Sequence, residues 1–163
     1  MIFLYKTLDI NLARHTKMTN EIRYKLMITV SIVLILYAIA WGLAPYTSFN
    51  ISARFLLDLL DWPVDSMPNI LDQNTKWLSA IGASLLAAFA ILLGGIVAPA
   101  IREGNTHVAK VALWAIAVWF VIDGLGSIAV GIPSNVFFNT IYLIAMIAPL
   151  IGVTPKNEAL EQS

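Results

Sequence analysis

The chain has 163 residues, about the length of one domain, and is 59% hydrophobic but only 12% charged, with zero formal net charge and no cysteine. Soluble domains are roughly half apolar and a quarter charged, so this composition belongs to the membrane class. Zero net charge argues against nucleic-acid binding, which takes a concentrated basic face. The lack of cysteine excludes disulfides, thiolate nucleophiles, Cys-ligated zinc, iron–sulfur clusters and the Cys-x-x-Cys chemistry of four-helix membrane thiol oxidoreductases.

Residues 1–25 form a basic segment carrying Lys6, Arg14, Lys17, Arg23 and Lys25, within which Met18 is an alternative start. The first apolar run, 26–44, ends at Pro45. Its Ala38-Ile39-Ala40 resembles a secretory cleavage site, but the run continues through Trp41 to Ala44 and is interrupted by Thr29, Ser31 and Tyr37, which favours a retained span. The loop 46–76 follows. Asn50 is placed to cap a short helix from Ile51 to Asp61, with Ile51, Phe55, Leu56, Leu59 and Leu60 on one face and Arg54, Asp58 and Asp61 on the other: an amphipathic helix lying on the outer leaflet. Asp58, Asp61, Asp65 and Asp72 make this loop acidic, which reads as a solvated lid rather than a cation site. Asn50-Ile51-Ser52 is also a glycosylation sequon, of consequence only in a eukaryotic source.

The second run, 77–101, is the longest and contains Pro99 before Arg102. Ala80, Ser84 and Ala88 recur at four-residue spacing, as do Ala90, Gly94 and Ala98; such small-residue stripes let helices approach closely, here inside the bundle or against another subunit. The third run, 108–130, and the fourth, 136–153, are separated by Gly131-Ile132-Pro133-Ser134, a tight turn. Each run approaches the ~20 residues that cross a bilayer, and only helices satisfy their backbone within one segment there. The sequence therefore predicts an all-α membrane protein: a four-transmembrane-helix bundle over 26–153 with a short outer interfacial amphipathic helix and a tail at 154–163. Eight of the ten basic residues lie in the N-terminal segment, the 102–110 connection and the tail (Lys156), while Arg54 and Lys76 lie elsewhere. The positive-inside rule puts both termini in the cytoplasm. Trp41, Trp62 and Trp77 fall near the outer interface and Tyr24 near the inner one, as anchoring aromatics do. His15 and His107 lie outside the apolar runs, leaving a bis-His haem in the bilayer without ligands.

Asp123 is the residue that asks for an explanation. It sits in a stretch, 111–153, with no basic residue, and an acid in a spanning helix costs about 2.5–3.5 kcal/mol even on lenient scales. It should face the bundle interior, roughly 10 Å below the outer end of its helix, and in dry surroundings its neutral form is favoured. Folding the last two spans about Ile132–Pro133 sets Ser127 opposite Asn139 and Asp123 near Tyr142 and Leu143. Asp123 and Ser127 share a face, as do Asn135 and Asn139. Ser84 and Tyr37 reach similar depth, so Tyr37, Ser84, Asp123, Ser127, Asn139 and Tyr142 are expected to form one polar cluster. It either fastens the last two helices through a bond from Asp123 to Asn139 or Tyr142, or lines a pocket for a polar headgroup, a quinone or a proton. No second buried acid or base supports a paired mechanism, and no catalytic residue or metal ligand is assigned.

Thr75-Lys76-Trp77-Leu78-Ser79-Ala80-Ile81, with Trp119, Asp123, Gly126-Ser127, Gly131, Asn135, Asn139 and Pro149-Leu150, resembles the small four-helix bacterial membrane proteins of the DoxX-like type over about the last 90 residues. The resemblance implies a four-helix bundle of the bacterial cytoplasmic (inner) membrane and, by analogy with quinone-linked oxidation complexes, a quinone as the one cofactor to consider. The favoured function is a non-catalytic accessory or assembly subunit that contacts the lipid bilayer and a membrane protein partner or a second copy of itself. The alternatives are a quinone- or lipid-binding protein or redox-complex subunit with its pocket around Asp123, and an oligomeric transporter or channel component.

Overall fold

In a computed structural model, which describes residues 18–65 and 69–155, each long helix begins at a polar cap. Thr19 Oγ1 accepts from the Ile22 amide at 3.3 Å and opens α1, Asn20–Gly42. Asp72 accepts from the amides of Asn74 (2.8 Å) and Thr75 (3.0 Å) and opens α3, Gln73–Arg102. Asn105 accepts from Val108 at 3.1 Å and opens α4, Thr106–Ala129. These caps satisfy amides that a helix start leaves without partners. They also explain why α1 and α3 start six and four residues before the predicted spans: polar first turns extend each helix beyond its apolar part. The remaining helices are α2, Ile51–Leu60, and α5, Pro133–Ile147. The described residues hold no strand. Three of these helices, α1, α3 and α4, are long and apolar enough to cross a membrane; α5 is apolar but has 15 residues.

The predicted fourth span, 136–153, is displaced: the helix occupies Pro133–Ile147 and residues 148–152 are turns. Proline lacks an amide hydrogen, but at the first helical position that hydrogen would have no partner anyway. Pro133 therefore starts the helix instead of belonging to the turn, and the reversal centres on Gly131, whose φ of 85° suits glycine.

α3 passes through Pro99 without ending. Just before the proline, Leu93–Val97 widens into a π turn in which the Ala98 amide donates to the Leu93 carbonyl. Proline cannot donate to the carbonyl four residues back, and an extra residue in the turn accommodates this.

α1 and α3 pack antiparallel, and two close approaches define their register. A Cβ on Gly94 would lie 3.1 Å from that of Ser31, and one on Gly42 would lie 3.4 Å from Ala83. The stripe of Ala90, Gly94 and Ala98 thus faces inward as predicted, but the stripe of Ala80, Ser84 and Ala88 does not: Ser84 and Ala88 are exposed, and Ser79 and Ala83 take the buried positions. The core, including Met27, Leu34, Leu93, Ile101, Ile116 and Met146, lies in the half of the molecule that contains the π turn. There α3 meets α4. Along Gln73–Leu92, by contrast, no α3 Cα lies within 8 Å of one in α4 or α5. The molecule is two helical hairpins, α1/α3 and α4/α5, joined at one end and splayed at the other.

The joined end is closed by polar contacts. The Arg23 guanidinium donates to the carbonyls of Met18 (3.0 Å), Ala148 (3.3 Å) and Ile151, capping the end of α5. Asn20 and Thr154 exchange two hydrogen bonds of 2.8 and 3.1 Å, and Arg102 lies 4.6 Å above the Tyr24 ring.

At the splayed end α2 bridges the hairpins. Ser52 donates to Ala40 of α1 at 3.0 Å, and Ser134 of α5 donates to Leu60 at 2.6 Å. The helix lies where it was predicted, but two details differ. Asn50 caps nothing: it is 3% exposed and donates to the Ala44 carbonyl at 3.2 Å, which also hides the sequon asparagine. Asp58 is buried together with Ala53, while Ile51 and Phe55 face outward. The predicted polar and apolar faces are thus partly exchanged.

Candidate functional site

Between the splayed hairpins lies a cavity of about 680 Å³. Leu34, Tyr37 and Trp41 of α1 and Gly82, Leu86 and Phe89 of α3 form one wall. Trp119, Asp123 and Ser127 of α4 face them, with Asn135, Asn139 and Tyr142 of α5 beside these. Leu57 and Leu60 of α2 and Asp61, which follows it, roof it, and Met146 lies at its base. Its flank between α3 and α4 is open: Leu85 and Ala115 line the cavity and are exposed on the outer surface, as expected where two helices do not touch. On the opposite flank Tyr37 and Tyr142 close the gap between α1 and α5, ring centroids 5.4 Å apart.

Five of the six residues predicted to cluster line this cavity: Tyr37, Asp123, Ser127, Asn139 and Tyr142. Ser84 is the exception. It is exposed and donates to its own helix at the Ile81 carbonyl, because depth in the bilayer does not determine which way a helical residue points.

The polar centre is a network between α4 and α5. Asp123 Oδ2 accepts from Asn139 Nδ2 and, at 3.1 Å, from Asn135 Nδ2. Asn135 Nδ2 also donates to Ser127 Oγ at 2.7 Å, and that hydroxyl donates to the Asp123 carbonyl at 2.8 Å. The register therefore differs from the predicted one by a helical turn: Asp123 stands opposite Asn139, and Ser127 opposite Asn135. Starting α5 at Pro133 causes this shift. Tyr142 shares the cavity with Asp123 but does not hydrogen-bond to it. Both amides converge on a single carboxylate oxygen, and among the described residues no donor reaches Oδ1.

Three features of the site were not in the predicted cluster. Asn135, noted only as sharing a face with Asn139, is a full member of the network. Trp41, read as an interfacial anchor, lies against Gly82, where any Cβ would overlap its indole ring. Its indole Nε1 is buried and has no acceptor. Trp62 and Trp77, by contrast, are exposed as anchors should be. Asp61, assigned to a solvated acidic loop, lines the roof of the cavity, whereas Asp72 caps α3 and Asp58 turns inward. Residues 66–68, part of the same loop, lie outside the described residues.

Among the described residues the chamber is apolar and aromatic, with two acids, several hydroxyl and amide groups, and no basic lining residue. No three histidine, aspartate or glutamate side chains among the described residues converge as metal ligands would. Comparisons with protein-family models, with curated proteins and with solved structures give no match.

Proposed function

We propose that this chain crosses a bacterial cytoplasmic membrane four times, with both ends inside, and binds an amphipathic small molecule of the lipid or quinone class that enters sideways from the bilayer between α3 and α4. The observation that carries the reading is the 680 Å³ cavity with a carboxylate network at one wall and an open flank at the other. Ligand sites typically occupy about 300–1,000 Å³, are mostly apolar, and contain a few convergent polar groups. The distribution of basic residues supports the orientation, which places the open flank in the outer leaflet with α2 lying along its surface. α5 is short for a span, about 22 Å at 1.5 Å per residue, and the turns after it carry the chain to the interface.

The test uses the protein's own fluorophores. Replacing Trp62, Trp77 and Trp114 by phenylalanine leaves Trp41 and Trp119, both in the cavity wall. In bilayers with brominated acyl chains, or with added quinone, their emission should be strongly quenched. Emission unaffected by both overturns the reading.

An accessory-subunit role is the second reading, and the outward-facing Ser84 and Ala88 favour it by offering a close-packing surface to a neighbouring helix. Cysteine at Ser84 should then crosslink to a second copy or to a partner in membranes, and its failure to crosslink counts against that surface.

A further inference from the structure

The charge inventory of the cavity is one-sided. Asp123 lies on its wall and Asp61 in its roof, and among the described residues no lysine, arginine or histidine lines it. Among the described residues neither Asp123 nor Asp61 is paired with a lysine or arginine, whereas Lys25 pairs with Glu21 at the opposite end. A carboxylate at bilayer depth ordinarily has a counter-charge from a neighbouring helix or from a ligand. Here the neighbouring helices supply neutral amides to Oδ2 and nothing to Oδ1. Tyr37, Trp41, Trp119 and Tyr142 line the same cavity as this acid. Aromatic faces around a carboxylate form the environment that receives organic cations, since each ring presents a negative face and none competes for the acid as a hydrogen-bonded base would.

We propose that the occupant of the cavity carries a positive charge: a lipophilic organic cation, a protonated or quaternary amine with an apolar body, whose head is the counter-ion of Asp123. The inference rests on the binding function proposed above and narrows its ligand to cationic amphiphiles, which sets a neutral quinone aside. Asp61 in the roof adds a second negative charge to the chamber, and the Asp123 carboxylate holds the cation. The apolar body then lies along Leu86 and Phe89 toward the open flank at Leu85 and Ala115. The ionisable side chains that line the cavity with Asp123 are Tyr37 of α1, Asp61 just after α2 and Tyr142 of α5; α3 contributes none.

Tetraphenylphosphonium and tetraphenylborate have nearly the same size and shape but opposite charge. Binding of each to the full chain in dodecyl maltoside, measured by equilibrium dialysis against protein-free micelles, separates charge recognition from apolar burial. The expected result is at least tenfold tighter binding of the phosphonium than of the borate, with that preference falling as the pH is lowered and the acids are protonated. Asp123→Asn, which retains a side chain able to hydrogen-bond, should abolish the preference without abolishing the weak binding common to both ions. Should Asp123→Asn fail to fold, the comparison of the two ions and its pH dependence on the unmodified chain still decide. Equal binding of the two ions overturns the cationic ligand while leaving the apolar binding site standing. Binding of neither ion overturns both.

Discussion

Arg23 was counted in the sequence as one of five charges in a basic N-terminal segment, and the structure gives it a second task that a mutation can isolate. Its side chain donates to Met18, Ala148 and Ile151, the last two at the end of α5, so it fastens the start of the first helix to the end of the last. A hydrogen bond to a charged group contributes about 1.5–3 kcal/mol, and a cation at a helix C-terminus about 0.3–1 kcal/mol. These terms overlap, and interfacial water replaces part of what is lost, so Arg23→Met should cost about 2–3 kcal/mol. For a chain of this size that lowers Tm by about 4–12 °C, read from tryptophan fluorescence during thermal unfolding in detergent. Lys25→Met is the control. It removes the same charge from the same segment, but Lys25 is well exposed and has only a 3.6 Å pair with Glu21, so it should shift stability by no more than about 0.5 kcal/mol. Arg23→Lys should recover only part of the loss, since one ammonium cannot replace a planar fork reaching three carbonyls. Equal effects of Arg23→Met and Lys25→Met would show that net charge, not the cap, is what matters, and would refute the reasoning.

The α1/α3 seam predicts opposite outcomes at adjacent glycines. Gly94→Ala places a methyl 3.1 Å from Ser31 and should destabilise by about 1–2 kcal/mol, whereas Gly95→Ala meets nothing within 4 Å and should be neutral or stabilising by up to about 1 kcal/mol in the same thermal assay. Gly82→Ala drives the Trp41 ring from its seat and into the cavity, so it should shift Trp41 emission and weaken phosphonium binding; unchanged emission in a variant holding Trp41 as its sole tryptophan would contradict the placement. Hydrogen bonds from the Thr75 side chain and backbone hold the Asp72 carboxyl below its ordinary value of 3.8. The cap is therefore more favourable to folding once Asp72 is ionised, is intact at neutral pH, and is lost as pH falls through the lowered value; hydrogen exchange at Asn74 and Thr75 should accelerate only in that acidic range.

Some of this arrangement was legible in the residues and some was not, for identifiable reasons. Asp123 stood out because an ionisable group in an apolar run must find company, and the company it finds on the neighbouring helix, Asn139, is one of those expected. The register was off by four residues because Pro133 reads equally well as a turn residue and as the first residue of a helix, and only the observed α5 start separates the two. Ser84 failed for another reason: helix rise gives depth, while azimuth depends on packing partners, and α3 turns its Ser79–Ala83 side to α1. Trp41 and Trp77 look alike in sequence, each a tryptophan near an outer helix end. The difference lies in Gly82, a residue whose missing side chain makes a place for an indole on a helix that passes forty residues later in the chain. Arg23 was hidden by its neighbours, since one buried charge among five basic residues leaves no pattern.

The cavity follows from how differently the two hairpins are joined along their length. α1 and α3 adhere through small side chains, with Ser31 against Gly94 and Gly42 against Ala83, so their backbones stay close from end to end. α4 and α5 adhere through the Asp123 network near the turn. Between the hairpins, close packing begins only at the π turn, where Leu93, Val97 and Ile101 become fully or nearly buried and α3 first meets α4. Pro99 is a reason for that wide turn, since it takes away a backbone donor, and Gly94 permits the close passage of α1 within it. The same segment thus ends the region of open space and begins the core. Replacing Pro99 by alanine restores a donor and removes one cause of the wide turn; a tightened α3 would rotate Val97 and Ile101 away from α4, so the effect would be felt first at the base of the cavity, beside Met146, and not at Asp123.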